Sequence, residues 1–122
     1  MFFPVSGWFA AFVLTVAIEL PIAVWLLRRA EPDPRRRVAL VVLANLATHP
    51  AVWYVFSQMF LVGTVDYLVA AEGWAIAAEA VFYVVSIRGL GGGRAIVVAA
   101  VANGASFAVG RIVDVLRPEL FR

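Results

Sequence analysis

The chain of 122 residues has no cysteine, no lysine and a single histidine. The absence of cysteine excludes disulfides, iron–sulfur clusters, thiolate metal sites and cysteine nucleophiles. A single histidine, His49, also excludes the paired-histidine motifs that make a zinc prediction strong. We therefore expect no haem, iron–sulfur or thiolate metal site, and the sequence leaves the identity of any other cofactor open.

Charged residues are also scarce, at 15% of the chain, whereas 64% of the residues are hydrophobic. The mean hydropathy is +0.94. Four long apolar stretches are visible, each close to the roughly 20 residues that cross a ~30 Å hydrocarbon layer. The sequence predicts an all-α, integral membrane four-helix bundle in which residues 1–122 form a single four-span domain. The expected spans are about 5–27, 38–62, 67–87 and 95–116.

Two prolines interrupt the first two spans. Pro21 follows Glu19 by two residues, and Pro50 follows His49 directly. A proline within a helix supplies no N–H and clashes with the carbonyl group four residues back. We expect kinks in the first and second helices, with freed carbonyl groups near Glu19 and His49.

The arginines are distributed asymmetrically between the loops. Membrane proteins carry an excess of basic residues in short cytoplasmic loops. Three arginines lie near the C-terminus and seven flank the first and third loops, so we expect a multi-pass protein with cytoplasmic first and third loops and both termini outside. The first loop, residues 28–37, also suits anionic lipid headgroups, and no motif suggests nucleic acid. The seven are Arg28, Arg29, Arg35, Arg36, Arg37, Arg88 and Arg94.

Four ionisable residues lie inside the predicted spans: Glu19, His49, Glu72 and Glu79. Such residues are costly in hydrocarbon, usually face the bundle interior and often mark a site. Glu72 lies nearer the outer surface, as does Arg111 of the fourth span. We expect these two side chains to form a structural ion pair.

Counting from the span ends places a polar group of every helix near the bilayer midplane. Glu19, His49, Glu79 and Asn103 fall at this level, and Asn45 lies about one turn towards the cytoplasm. Tyr83 follows Glu79 by one turn on the same face. These six residues are the predicted binding or proton-handling site.

Three functions fit this set of side chains. The first is proton- or cation-linked binding or transport of a small solute, because carboxyl and imidazole groups exchange protons and kinked helices often surround midplane sites. The second is an accessory or structural subunit of a membrane complex, in which the polar groups join helices. The third is an intramembrane metal-dependent enzyme with Glu19, His49 and Glu79 as candidate ligands. Whether the chain is an enzyme stays open at this stage.

In size and span count the chain resembles the small multidrug resistance transporters, four-helix proteins with one membrane-embedded glutamate in the first span. Glu19, in Ala17-Ile18-Glu19-Leu20, would take that position. Glu79, His49 and the two prolines depart from that pattern. The resemblance is one of layout and implies a dimer. Four spans enclose little space, so we expect a homodimer or a larger membrane complex.

Overall fold

The computed structural model describes residues 5–121, with side chains from residue 6 onwards. Residues 1–4 and Arg122, which the predicted domain includes, lie outside the described residues. Four long helices account for most of this part of the chain. They are α1 (Val5–Leu26), α2 (Pro34–Met59), α3 (Val65–Ser86) and α4 (Gly92–Leu116), and a short 3₁₀ helix, Pro118–Phe121, follows.

All four helices are long and apolar enough to cross a membrane. The chain is therefore an integral, multi-pass membrane protein of the all-α, four-helix class, as the sequence predicts. Short connections make consecutive helices antiparallel neighbours. Each helix packs against two others, so α1, α2, α3 and α4 form a closed ring in chain order.

The second helix starts earlier than predicted, at Pro34 instead of residue 38. Asp33 caps it, since its carboxylate accepts a hydrogen bond from the Arg35 amide at 3.0 Å. Proline is well suited to the first helical position because its missing N–H would be unpaired there. The prediction that residues 34–37 belong to a loop is therefore wrong, and Arg36 and Arg37 lie in the first turn of α2.

The second helix also changes geometry after Pro50. An α-helix over Pro34–Ala51 is followed by a π-helical turn over Val52–Phe56 and a last turn over Ser57–Met59. Single π-turns inside α-helices are rare and are frequent at functional sites. The α geometry ends at Ala51, one residue after Pro50, where the sequence predicts a kink.

Close packing is concentrated at one end of the bundle, which we call the arginine end and define by the connections 27–33 and 87–91. Bulky side chains from different elements are almost fully buried there, and alanines let the helices approach closely. The opposite end, with residues 60–64 and 117–121, is called the open end. The large buried side chains of the arginine end are Leu27, Val41, Tyr83, Ile87, Leu90 and Val98.

Arginines bind the last carbonyl groups of two helices at the arginine end. Arg37 donates to the Val24 carbonyl at 2.6 Å, and Arg28 donates to that of Trp25 at 2.7 Å. The final carbonyls of a helix have no partner within the helix and favour nearby positive charge. Arg36 binds the C-terminal end of α3 in the same way, by donating to the Ser86 carbonyl at 2.6 Å.

Candidate functional site

A cavity of about 280 Å³ extends from the middle of the bundle towards the open end. Side chains from all four helices line it, and most of the predicted site residues are among them. The polar lining consists of Thr15, Glu19, Asn45, Thr48, His49, Glu72, Glu79, Asn103, Ser106, Arg111 and Asp114.

Glu79 joins three helices through its two carboxylate oxygens. Oε2 accepts a hydrogen bond from the Asn103 side-chain amide of α4 at 2.8 Å, and Oε1 accepts one from the Thr48 hydroxyl of α2 at 3.3 Å. The Glu79 residue is 1% exposed. The predicted proximity of Glu79 and Asn103 is therefore present in the structure.

Glu19 enters the same cavity from α1 and bridges α1 to α4. Its Oε1 accepts a hydrogen bond from the Ser106 hydroxyl at 2.7 Å. Its Oε2 is buried and has no hydrogen-bond partner among the described residues, and the whole residue is 0% exposed. We call Glu19 and Glu79 together the cavity floor.

Thr48 and Ser106 are site residues that the sequence analysis did not include. Each lies three positions after a predicted residue, namely Asn45 and Asn103, and so shares its helical face. Both hydroxyls also contact carbonyl groups of their own helices, with Thr48 at 3.1 Å from the Ala44 oxygen. The spacing of three is the signal that could have identified them.

Asn45 is buried beside Glu19 but is held by its own helix. Its side-chain amide donates to the Val41 carbonyl at 3.0 Å, and the residue is 1% exposed. Its side chain also lies close to the Glu19 carboxyl group. Asn45 therefore contributes polarity to the cavity floor on the side of α2.

His49 lines the cavity, but its surroundings are mainly aromatic. The ring centroids of Phe12, Trp8 and Trp53 lie 5.5, 6.2 and 6.2 Å from that of His49. His49 Nδ1 is buried and unpaired within residues 5–121. The hydrogen bonds of Glu79 run to Thr48 and Asn103, so His49 is not part of that network.

The three candidate metal ligands do not gather into one ligand set. Within residues 5–121, no group of three or more histidine, aspartate or glutamate side chains is arranged to hold a metal ion. The reason is the position of His49, which faces the aromatic rings while the neighbouring Thr48 faces Glu79.

The structure places Glu72 and Arg111 on the same cavity wall without pairing them. Arg111 instead lies 3.6 Å from Asp114, three residues on. In the part of the chain that is described, no salt bridge joins Glu72 to Arg111. Glu72 is near enough to Glu19 and Glu79 to interact with both electrostatically.

Tyr83 closes the cavity on the side of the arginine end. It follows Glu79 by one turn and is 1% exposed. Within residues 5–121, no hydrogen bond joins its hydroxyl to Glu79, whose carboxylate oxygens accept from Thr48 and Asn103. Tyr83 therefore packs below the cavity floor, on the side of the arginine end.

The cavity reaches the surface at the open end. Its lining includes Arg111 and Asp114, whose side chains are 59% and 41% exposed. The 3₁₀ helix folds back beside this opening and packs against α1 and α4, with Phe121 in the cavity lining. An ion pair between Arg117 and Glu119 holds this segment, and the hydrogen bond from Arg117 lowers the pKa of Glu119.

The π-turn of α2 forms part of the cavity wall through Val52 and Trp53. The Tyr67 hydroxyl of α3 donates to the Val52 carbonyl at 3.2 Å. This bond ties the irregular turn to the neighbouring helix. It also satisfies a carbonyl group in a segment where backbone groups cannot rely on water.

No protein-family model, curated protein or solved structure matches the chain. The resemblance to the small multidrug resistance transporters therefore stays one of size and span count. The function has to be argued from the cavity and its side chains.

Proposed function

We propose that the chain is a small membrane protein that binds a cationic solute in the cavity and exchanges it for protons, as a binding or transport protein. The observation that carries this proposal is the presence in one cavity of three glutamate carboxyl groups without a basic partner among the described residues. Glu19, Glu72 and Glu79 all line it, and two of them are almost completely buried.

The partners of these carboxyl groups are uncharged. The cavity floor is bound by the Asn103 amide and by the hydroxyls of Thr48 and Ser106. A buried carboxylate is costly unless a positive charge or a proton neutralises it. Binding of a cation at Glu19 and Glu79 would therefore be accompanied by release of protons, which is the basis of proton-linked binding.

The cavity reaches the surface at the open end, as expected of one state in an alternating-access cycle. Exposed residues border it at the open end, whereas Tyr83, Leu27 and Val98 are packed below the floor. Transport would require a second state in which this packing opens. Four helices provide few contacts for such a change, so a homodimer or a larger complex is the expected working unit.

The structure gives less support to the metal-dependent enzyme, because His49 is directed to aromatic rings and away from Glu79. The accessory-subunit reading predicts that the polar groups only stabilise the bundle. These two readings are the alternatives that an experiment has to separate from cation binding.

The test is proton release on addition of a cation to the purified protein in lipid nanodiscs. Methylammonium, sodium and potassium chlorides are added in turn, and protons are detected with a pH-indicator dye at low buffer concentration. We expect one of the cations to release protons from the parent chain. Glu19→Gln and Glu79→Gln should abolish this release while retaining the helical circular dichroism spectrum.

Asp66→Asn is the matched control, because Asp66 is an exposed carboxylate on the same helix as Glu79. This variant should release protons as the parent does. Absence of proton release from the parent with every cation, together with lower melting temperatures of both glutamine variants, would support the structural reading instead. Stoichiometric metal in the purified protein that is lost in His49→Ala would support the enzyme reading.

A further inference from the structure

We infer that the solute is a linear organic dication, that is, an amine with two ammonium groups joined by a short methylene chain. This inference rests on the proposed function, since it names the class of cation that the cavity takes. It is carried by the arrangement of the acidic groups along the cavity and by an unpaired buried oxygen at its floor.

The carboxyl groups lie at two levels. Glu19 and Glu79 form the floor, while Glu72 precedes Glu79 by seven residues on the same face of α3. Seven residues correspond to about 10 Å along a helix axis. A ligand with one positive charge would neutralise one level, and the carboxyl group at the other level would have to keep its proton.

Within residues 5–121, no basic side chain forms a salt bridge with the carboxyl group at the upper level. Arg111, which lines the same part of the cavity, is paired with Asp114 at 3.6 Å. Among the described residues, Glu72 has no salt bridge. A second ammonium group in the ligand would supply the missing positive charge.

One carboxylate oxygen at the cavity floor has no hydrogen-bond donor within residues 5–121, and the ligand can provide that donor. Glu19 lines the cavity, and its Oε2 is buried and accepts no hydrogen bond from the described residues. An ammonium group carries three donors and no acceptor. One ammonium group at the floor could therefore donate to Glu19 and Glu79 together without displacing Asn103 or Ser106.

The wall between the two levels is apolar and aromatic. Ala75, Trp53 and Phe107 line it. Methylene groups would pack against this surface, whereas a small hydrated metal ion would gain nothing from it. The cavity volume of about 280 Å³ also suits a short organic chain better than a bare ion.

The experiment compares 1,4-diaminobutane with n-butylamine, which has the same carbon chain and one ammonium group. Both are titrated into the protein in nanodiscs by isothermal titration calorimetry at one pH and one salt concentration. We expect the diamine to bind at least 10-fold more tightly. Glu72→Gln should remove this preference, so that the diamine and butylamine bind with equal affinity in that variant, while Asp66→Asn should retain the preference.

A series of diamines from two to eight carbons tests the same inference without any substitution. The parent chain should show an affinity maximum at one chain length, because the two acidic levels are a fixed distance apart. Equal affinities for butylamine and all the diamines, with proton release, would overturn the dication inference and leave the proposed function standing. Failure of every amine and inorganic cation to bind would overturn the proposed function itself.

Discussion

At the scale of single residues, Glu79 and its two partners determine how the cavity floor responds to a proton. Both carboxylate oxygens accept hydrogen bonds, one from Asn103 and one from Thr48. The Thr48 hydroxyl can donate or accept, whereas the Asn103 amide nitrogen can only donate. A proton on the oxygen facing Thr48 would thus be accommodated by rotation of one hydroxyl.

Asn103 should contribute measurably to the stability of the bundle. Its amide donates to Glu79 and, at 2.8 Å, to the Ala99 carbonyl of its own helix. Interhelical hydrogen bonds in membranes contribute about 0.6 kcal/mol on average and up to about 1.7 kcal/mol. We expect Asn103→Ala to lower the free energy of unfolding by about 1 kcal/mol, measured by unfolding with sodium dodecyl sulfate in mixed micelles.

The neighbouring Gly104→Ala is the control for this substitution. Gly104 is exposed on the outer face of α4, and an added Cβ would meet no atom within 4 Å. This variant should not be destabilised. Unchanged stability of Asn103→Ala would mean that the contact with Glu79 does not hold the bundle together.

The sequence predicted the depth of the polar residues better than their directions. Glu79 and Asn103 lie at one level because counting from the span ends fixes the rise along each helix. His49 and Thr48 are adjacent, yet about 100° separates neighbouring residues around a helix, so only one of them can face Glu79. Which one does so depends on the rotation of α2, and that is set by packing against Trp8 and Phe12.

At the scale of elements, α2 combines a capped α-helical segment with the π-turn over Val52–Phe56. The helix starts at Pro34 because Asp33 caps it. This capping signal is present in the sequence, but a span predicted from hydropathy begins only after the arginines of residues 35–37. Its π-turn could not be predicted, because a proline specifies a lost hydrogen bond but not how the following turn rearranges.

Tyr67 should stabilise this π-turn. Its hydroxyl donates to the Val52 carbonyl at 3.2 Å. We expect Tyr67→Phe to lower the free energy of unfolding by about 1 kcal/mol, because the carbonyl group would lose its partner in an environment with little water. The measurement is again unfolding in mixed micelles.

Tyr54→Phe provides the matched control, since Tyr54 lies on the π-turn itself and contacts Trp8 through its ring. No hydrogen bond of the Tyr54 hydroxyl is found within residues 5–121, so its loss should be close to neutral. If both variants are equally stable, the contact between Tyr67 and Val52 has no role in holding the turn.

At the scale of the whole molecule, the basic residues of the arginine end fall into two groups. Arg28, Arg36 and Arg37 bind helix carbonyls, so helix capping accounts for part of the arginine excess at this end. Arg29 and Arg88 form no side-chain hydrogen bond or ion pair with the described residues. These two remain free to contact anionic headgroups, as proposed for this end of the bundle.

We expect the arginine end to face the cytoplasm, because short basic loops are retained there. The chain has no cysteine, so single cysteines can be introduced without background. Pro32→Cys and Leu61→Cys place thiols at exposed positions on opposite ends. In sealed cells, a membrane-impermeant maleimide should label position 61 and not position 32.

Labelling of position 32 from outside, with position 61 protected, would reverse the orientation. The cavity would then open to the cytoplasm, and the direction of any transport would have to be reconsidered. Permeabilised cells, in which both positions should react, control for thiols that are inaccessible for structural reasons.

The uneven packing along the bundle also has an electrical consequence. If water enters the cavity from the open end, the potential within it stays close to that of the adjoining solution, and the voltage falls mainly across the packed segment around Tyr83 and Leu27. Moving one elementary charge across the full membrane potential corresponds to about 2.3 kcal/mol per 100 mV. A cation would therefore reach Glu79 with little electrical work, and a step past Tyr83 would carry nearly the whole voltage dependence.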